Sequence, residues 1–287
     1  METKRIALGP LELSYLEVAG AGQPFVLLHG LTGHRDDFRS SLPELADLGW
    51  LLAPDLRGHG DFTHTGHEGS FGFPQLVADQ SALLDAWGAP RCDLLGHSFG
   101  GMLALRFTLA HPERVASLIL MDTAPFSPAA WSRETFEKAG AIARTRGMAF
   151  LQELVERAAR QNPDPSPSDR QTFKWGERYW THQRLRYGAM DPVAYGALGV
   201  AMAEQEPVEG RLGEIQCPTS VLVGADDAEF LEGADALEAG IEGAVRTTLP
   251  DAGHHPQIEN LAAWQRAIRA HFGRVRAEHP ARESGEQ

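Results

Sequence analysis

The chain has 287 residues, 43% hydrophobic and 23% charged, enough for one large core or a core with a smaller inserted unit. A formal net charge of −13 argues against a nucleic-acid binder, whose surface must be rich in Lys and Arg, and disfavours adsorption to anionic membranes. Nothing in the composition signals disorder, a collagen repeat or a disulfide framework.

The first twenty residues include Lys4 and Arg5 but no continuous apolar run of signal-peptide length. No stretch approaches the roughly 20 apolar residues that a membrane span requires. A cytoplasmic protein is expected, with Cys92 and Cys217 as two buried, reduced thiols, each just ahead of a predicted strand.

Residues 4–8 and 11–18 read as two strands around the Gly9-Pro10 turn. Six further strands are predicted within 24–30, 49–55, 91–98, 115–122, 219–226 and 245–253. The later runs are continuously apolar, as parallel strands covered on both faces should be. Helical candidates lie between them, near 37–48, 75–87, 99–111, 229–239 and 258–272. This alternation predicts an α/β fold with a doubly wound, mostly parallel eight-stranded sheet.

From Pro125 to about Gly210 no strand is predicted, and helical periodicity takes over. Leu151, Leu154, Val155, Ala158 and Ala159 form one apolar stripe, and Ser168 with Gln171 reads as a capping box for the next helix. That segment is rich in aromatics: Phe173, Trp175, Tyr179, Trp180 and Tyr187. For any one of them packing is the expected role, while as a group they could border a partly apolar cleft. The predicted organisation is a core of 1–124 and 211–272, a helical insertion at 125–210, and a polar tail at 273–287 that frays.

Gly96-His97-Ser98-Phe99-Gly100 matches G-x-S-x-G. Alone this is a weak signal, but here it closes the apolar strand CDLL and opens the apolar helix GGMLALRFTLA. A sharp strand-to-helix turn holds its serine in strained backbone angles, and its flanks must be glycine because side chains would collide there. The helix N-terminus beneath the serine also favours a developing negative charge. Ser98 is therefore the candidate nucleophile.

With HGLTG at 29–33, PDLRGHG at 54–60, GHSFGG at 96–101 and DAGHHPQIEN at 251–260, the chain resembles the α/β-hydrolase superfamily over about residues 5–272. The resemblance implies that the backbone N–H groups of Leu31 and Phe99 form an oxyanion hole, each worth roughly 3–4 kcal/mol of transition-state stabilisation. His29 would shape that loop rather than move protons. The implied base is His254, directly after Ala252-Gly253, with His255 near the site but not the base. The implied acid is Asp227, at the fourth position of Gly224-Ala225-Asp226-Asp227; Asp226 and Asp122 stand as alternatives.

His59, His64 and His67, with Asp61 and Glu68, crowd one loop but lack a helical ligand spacing, so no metal is assigned to them. Asp55 and Arg57 read as structural. A serine nucleophile departs from the epoxide-hydrolase and haloalkane-dehalogenase branches, which need a carboxylate there.

The resemblance implies acyl transfer to water through an acyl-enzyme on Ser98, without a cofactor. The expected partner is a small-molecule ester or lactone, small to medium and partly apolar, admitted under the insertion as a cap; the chain would be a monomer or homodimer. Carbon–carbon bond hydrolysis and cofactor-free perhydrolysis are alternatives on the same residues. A hydrolase-like ligand receptor is the alternative from another class.

Overall fold

A computed structural model describes residues 1–278. Eight strands form one sheet: β1 (Thr3–Leu8), β2 (Leu11–Val18), β3 (Phe25–Leu28), β4 (Leu51–Pro54), β5 (Cys92–His97), β6 (Val115–Met121), β7 (Thr219–Gly224) and β8 (Val245–Leu249). They lie in the order β1-β2-β4-β3-β5-β6-β7-β8. β1, β2 and β4 pair antiparallel, and from β4 onward every pairing is parallel. The direction of chain progression reverses between β3 and β5. In open α/β sheets such a reversal opens a crevice beyond the carboxyl ends of the strands, where ligands bind.

Every residue of β5, β6 and β7 is buried, which explains their unbroken apolar runs. Their side chains alternate between two cores. Leu94, Leu118, Leu120, Val221 and Val223 face one, together with helices α1 (Phe73–Ala86) and α2 (Phe99–Ala110). Leu95, Ile119, Met121 and Leu222 face the other, built on Trp264, Ile268 and Phe272. Both faces being covered, the sheet exposes little beyond its edge strands β1 and β8.

Between β6 and β7 the chain runs through α3 (Arg133–Arg146), α4 (Met148–Gln161), α5 (Pro167–Phe173), α6 (Glu177–Gly188) and α7 (Pro192–Ala203). α3 and α7 cross at paired glycines, where a Cβ on Gly140 would stand 2.8 Å from the Gly196 Cα. The α4 stripe is only partly apolar in its packing. Leu151 is buried but Ala158 is exposed, and Gln152 and Glu156 are buried instead, hydrogen-bonded to each other and to Gln183 and Arg184 of α6.

Several local readings change. The 37–48 segment is not one helix but two 3₁₀ turns, Arg35–Phe38 and Pro43–Leu48, because Pro43 supplies no N–H to continue a ladder. The capping box of α5 is made by Ser166 and Asp169 around Pro167, not by Ser168 and Gln171. After α8 (Leu231–Gly240) and the short α9 (Pro256–Glu259), the last helix, α10 (Leu261–Glu278), does not fray at Gly273. Buried Phe272, edge-on to Phe25 at 5.0 Å, and buried Val275 carry it onward. Residues 279–287 of the expected tail lie outside the described residues. Cys92 and Cys217 are free thiols, the first buried and the second half-buried. Among the described residues no helix is long and apolar enough to cross a membrane.

Candidate active site

Ser98 occupies the turn from β5 into α2 with φ of +55° and is 6% exposed. A non-glycine residue at such an angle costs roughly 1–3 kcal/mol unless its surroundings enforce it. Here they do. The Ser98 N–H donates to Met121 O at 2.9 Å, and its carbonyl accepts from Gly101 N–H, Met102 N–H and the Thr123 hydroxyl. A Cβ on Gly96 would collide with the Gly100 carbonyl, and one on Gly100 with the carbonyls of Leu28 and His29. Glycine on both sides is what allows β3 and β5 to present their loops so close together.

His254 follows β8 and is fixed on every side. Its Nδ1–H donates to Asp227 Oδ2 at 2.7 Å, and its Nε2 accepts from the Ser98 hydroxyl at 3.0 Å. Its ring stacks on Phe230 at 5.0 Å. Its N–H donates to Ser168 Oγ at 3.0 Å, and its carbonyl accepts from His97 Nε2 at 2.6 Å. Burial alone would depress its pKa, but the charge and hydrogen bond of Asp227 outweigh it and leave the pKa raised. The structure thus brings Ser98, His254 and Asp227 into one hydrogen-bonded line.

The other acids behave differently. Asp226 accepts a hydrogen bond from Gln171 of α5 and points away from His254. Asp122, at the end of β6 with φ of +46°, accepts from Gly224 N–H at 2.8 Å and faces Asp227. Burial and then the Asp227 charge push its pKa well above the ordinary carboxylate value. Burial would also raise Asp227, but the His254 charge and hydrogen bond hold it low. The carboxylate hydrogen-bonded to His254 is thus that of Asp227, with Asp122 behind it.

On the opposite side, Gly33 N–H donates to Gly30 O at 3.0 Å, turning the 29–33 loop back on itself. His29 braces it: Nδ1–H donates to Gly30 O at 2.9 Å and Nε2 accepts from Leu56 N–H at 3.0 Å. Leu31 borders the same cavity as Ser98. The Phe99 N–H is the first amide of α2 and one of the four that a helix leaves without an internal acceptor.

His59, His64 and His67 do not converge. His59 is buried against His29 at 4.9 Å, while His64 and His67 are exposed. Asp55 holds Arg35, and Arg57 makes a two-pronged pair with Asp79 at 2.6 Å. Both are braces of the fold. Among the described residues, the acidic and imidazole groups close enough to share an ion are Asp122, Asp227 and His254. The Asp227 and His254 groups already use that arrangement in hydrogen bonds to each other and from His254 to Ser98.

The sequence reading missed part of the site. A cavity of about 140 Å³ reaches Ser98 and is closed from above by Tyr179, Gln183 and Arg186 of α6 and from the side by Asp37, His97 and His255. Of the inserted aromatics, Tyr179 borders this cavity and Trp175 an adjoining groove, whereas Phe173 and Trp180 pack together at 5.7 Å and Tyr187 is buried near Tyr195. Ser168 and Gln171 matter as contacts to His254 and Asp226 rather than as a cap. No spacing distinguishes Arg186 from Arg184, whose side chain lies outside with Glu156 and Glu177.

The sequence matches the alpha/beta hydrolase fold family over residues 23–261. The chain belongs to the α/β hydrolases. This α/β hydrolase is 31% identical over 268 residues to a pimeloyl-[acyl-carrier protein] methyl ester esterase of Chromobacterium violaceum, covering 90% of this chain and 97% of the relative. It is 38% identical over 122 residues to a 2-hydroxy-6-oxo-2,4-heptadienoate hydrolase of Pseudomonas putida, a match that spans 41% of this chain and only 43% of the relative. Among solved structures, a thermophilic esterase from Thermogutta terrifontis superimposes with a TM-score of 0.81 at 26% identity, covering 96% of this α/β hydrolase and 99% of that chain.

Proposed function

We propose that this α/β hydrolase is a serine hydrolase that cleaves a carboxylic ester or lactone through an acyl-enzyme on Ser98. The observation that carries the reading is the unbroken line from Asp227 through His254 to Ser98, at 2.7 and 3.0 Å. The esterase likenesses support the ester substrate.

In this reading His254 Nε2 takes the Ser98 proton as Oγ attacks the carbonyl carbon. The resulting oxyanion lies against the N–H groups of Leu31 and Phe99. His254 returns the proton to the leaving oxygen, and the acyl group stays on Ser98. A water then gives His254 a proton and attacks the acyl carbon, and His254 passes that proton to Ser98 Oγ as its bond to the acyl carbon breaks, releasing the acid. Asp227 keeps the imidazole tautomer and stabilises the imidazolium. Helices α3–α7 act as the cap, with α6 as its inner wall.

The test is steady-state hydrolysis of p-nitrophenyl esters of graded chain length by wild type and Ser98→Ala. Multiple turnover by wild type with loss of at least about 10⁴-fold in the variant is expected. Retained activity in Ser98→Ala removes the serine from the mechanism. A second reading, carbon–carbon bond hydrolysis on the same residues, draws on the partial likeness to the heptadienoate hydrolase. It is favoured if Ser98-dependent turnover is found on a 2-hydroxy-6-oxodienoate and on no ester.

A further inference from the structure

The cavity beside Ser98 is not the apolar slot that a simple aliphatic acyl chain would need. Arg186 projects into it from α6, 5% exposed. Its Nε is fully buried without a hydrogen-bond acceptor. The nearest carboxylate oxygen, Asp37 Oδ2, stands 3.6 Å from its terminal nitrogen. That carboxylate is already engaged: Oδ1 accepts from His182 Nε2 at 2.7 Å, and Oδ2 accepts from His34 N–H at 3.1 Å.

Asp37 therefore balances the charge of Arg186 as an ion pair and leaves its Nε donor idle. A buried guanidinium with idle donors is costly, and native proteins keep such a group where something else completes it. Two more buried nitrogens on the same wall, His97 Nδ1 and His255 Nδ1, also lack partners. Both imidazoles are held neutral, chiefly by burial, and the Arg186 charge adds to this at His255. The positive charge at this wall is thus carried by Arg186, set beside the Asp37 carboxylate.

We infer that Arg186 is the receptor for an anionic group of the substrate, so that the preferred ester carries a carboxylate a few bonds from its scissile carbonyl. The planar fork of guanidinium donors matches the two oxygens of a carboxylate. Because Arg186 and Ser98 border one cavity of only about 140 Å³, the anion and the carbonyl must belong to one short acyl group. This assignment rests on the ester-hydrolase reading for its chemistry, but its binding arm stands apart from it.

The test compares p-nitrophenyl hydrogen glutarate with p-nitrophenyl pentanoate, which match in chain length and differ in terminal charge. The readout is the ratio of their kcat/KM values. Wild type is expected to favour the glutarate ester by about tenfold or more, and Arg186→Gln to lower the ratio about thirtyfold. Arg186→Lys should recover part of the preference. Glutarate should also compete with the pentanoate ester in wild type and bind Ser98→Ala protein by calorimetry, and the binding should be lost in Ser98→Ala/Arg186→Gln. Ser98-dependent turnover of the neutral ester, with a ratio unchanged within about threefold and no glutarate binding, overturns the inference and leaves the ester reading intact. Glutarate binding that depends on Arg186, with no ester turned over, overturns the ester reading and upholds the anion site. Should Arg186→Gln fail to fold, wild type decides alone: no preference for the charged ester and no competition by glutarate overturn the inference.

Discussion

In the proposed mechanism His254 acts as a base only while its Nε2 carries no proton, and its surroundings make that harder. The Asp227 charge overcomes the depression due to burial and leaves the imidazole pKa above its ordinary value of 6.5. Since the protonated form cannot accept the Ser98 proton, kcat/KM should fall as pH drops through a midpoint above about 6.5. Removing the charge in Asp227→Asn should move that midpoint down and lower the plateau by about 10⁴-fold, with the tautomer no longer enforced. Asp122→Asn should cost much less, because Asp122 faces Asp227 rather than His254, whose Nδ1 is bonded to Asp227. A pH profile for wild type and the two variants checks this. If Asp122→Asn gives the larger loss, the acid has been misassigned.

The site residues differed in how plainly the sequence displayed them, again for reasons at this scale. Ser98 was readable because its neighbours are constrained by collision: the turn excludes any Cβ at Gly96 and Gly100. Asp226 and Asp227 are adjacent and chemically alike, so local sequence could not separate them, and their directions are set by Gln171 on one side and His254 on the other. Arg186 carried no local signal. Its burial depends on Asp37, nearly 150 residues away and in the core rather than the insertion.

At the level of elements, the sheet was legible because burial on both faces leaves an unbroken apolar run with turn residues at each end. The helices of the insertion were less so. α4 reads as an apolar stripe, yet Gln152 and Glu156 occupy buried positions because α6 offers them Gln183 and Arg184. The same principle misled the reading of α5, whose N-terminus contains several serines. Pro167 decides between them: its fixed φ suits the first helical position, which makes Ser166 the cap and frees Ser168 to receive the His254 N–H. The insertion is thus tied to the site by side chains whose roles depend on tertiary partners. α10 shows the converse, since two buried residues extend a helix that composition alone would end at Gly273.

Taken as a whole, the molecule buries an unusual set of imidazoles. His29 and His255 are pushed well below 6.5, His59 to about 4, and His97 and His271 to about 3, in each case chiefly by burial. With native pKa values below those of the unfolded chain, the unfolded chain binds protons first as pH falls under about 6.5. Stability is therefore undiminished above that pH and lost progressively below it, by about 1.4 kcal/mol per pH unit for each histidine. Five such groups acting together would remove on the order of 7 kcal/mol by pH 5.5, a large part of the roughly 5–15 kcal/mol typical of a domain. His254 is shifted the other way, but its contribution changes only above about 6.5. Urea midpoints at pH 7.5 and 5.5 should show a marked drop, and equal midpoints would mean that these imidazoles are solvated.

Ser98 and His254 stand 156 positions apart along the chain, with the base contributed by the loop just ahead of the final helices. A ribosome adding about 5–20 residues per second exposes the serine roughly 8–30 seconds before the histidine has been made. Through that interval the nascent protein carries an ordinary alcohol, with nothing to take its proton. On the proposed mechanism reactivity arrives only once His254 and the loop that carries it have docked, so a half-folded copy has no means of attacking the metabolites around it.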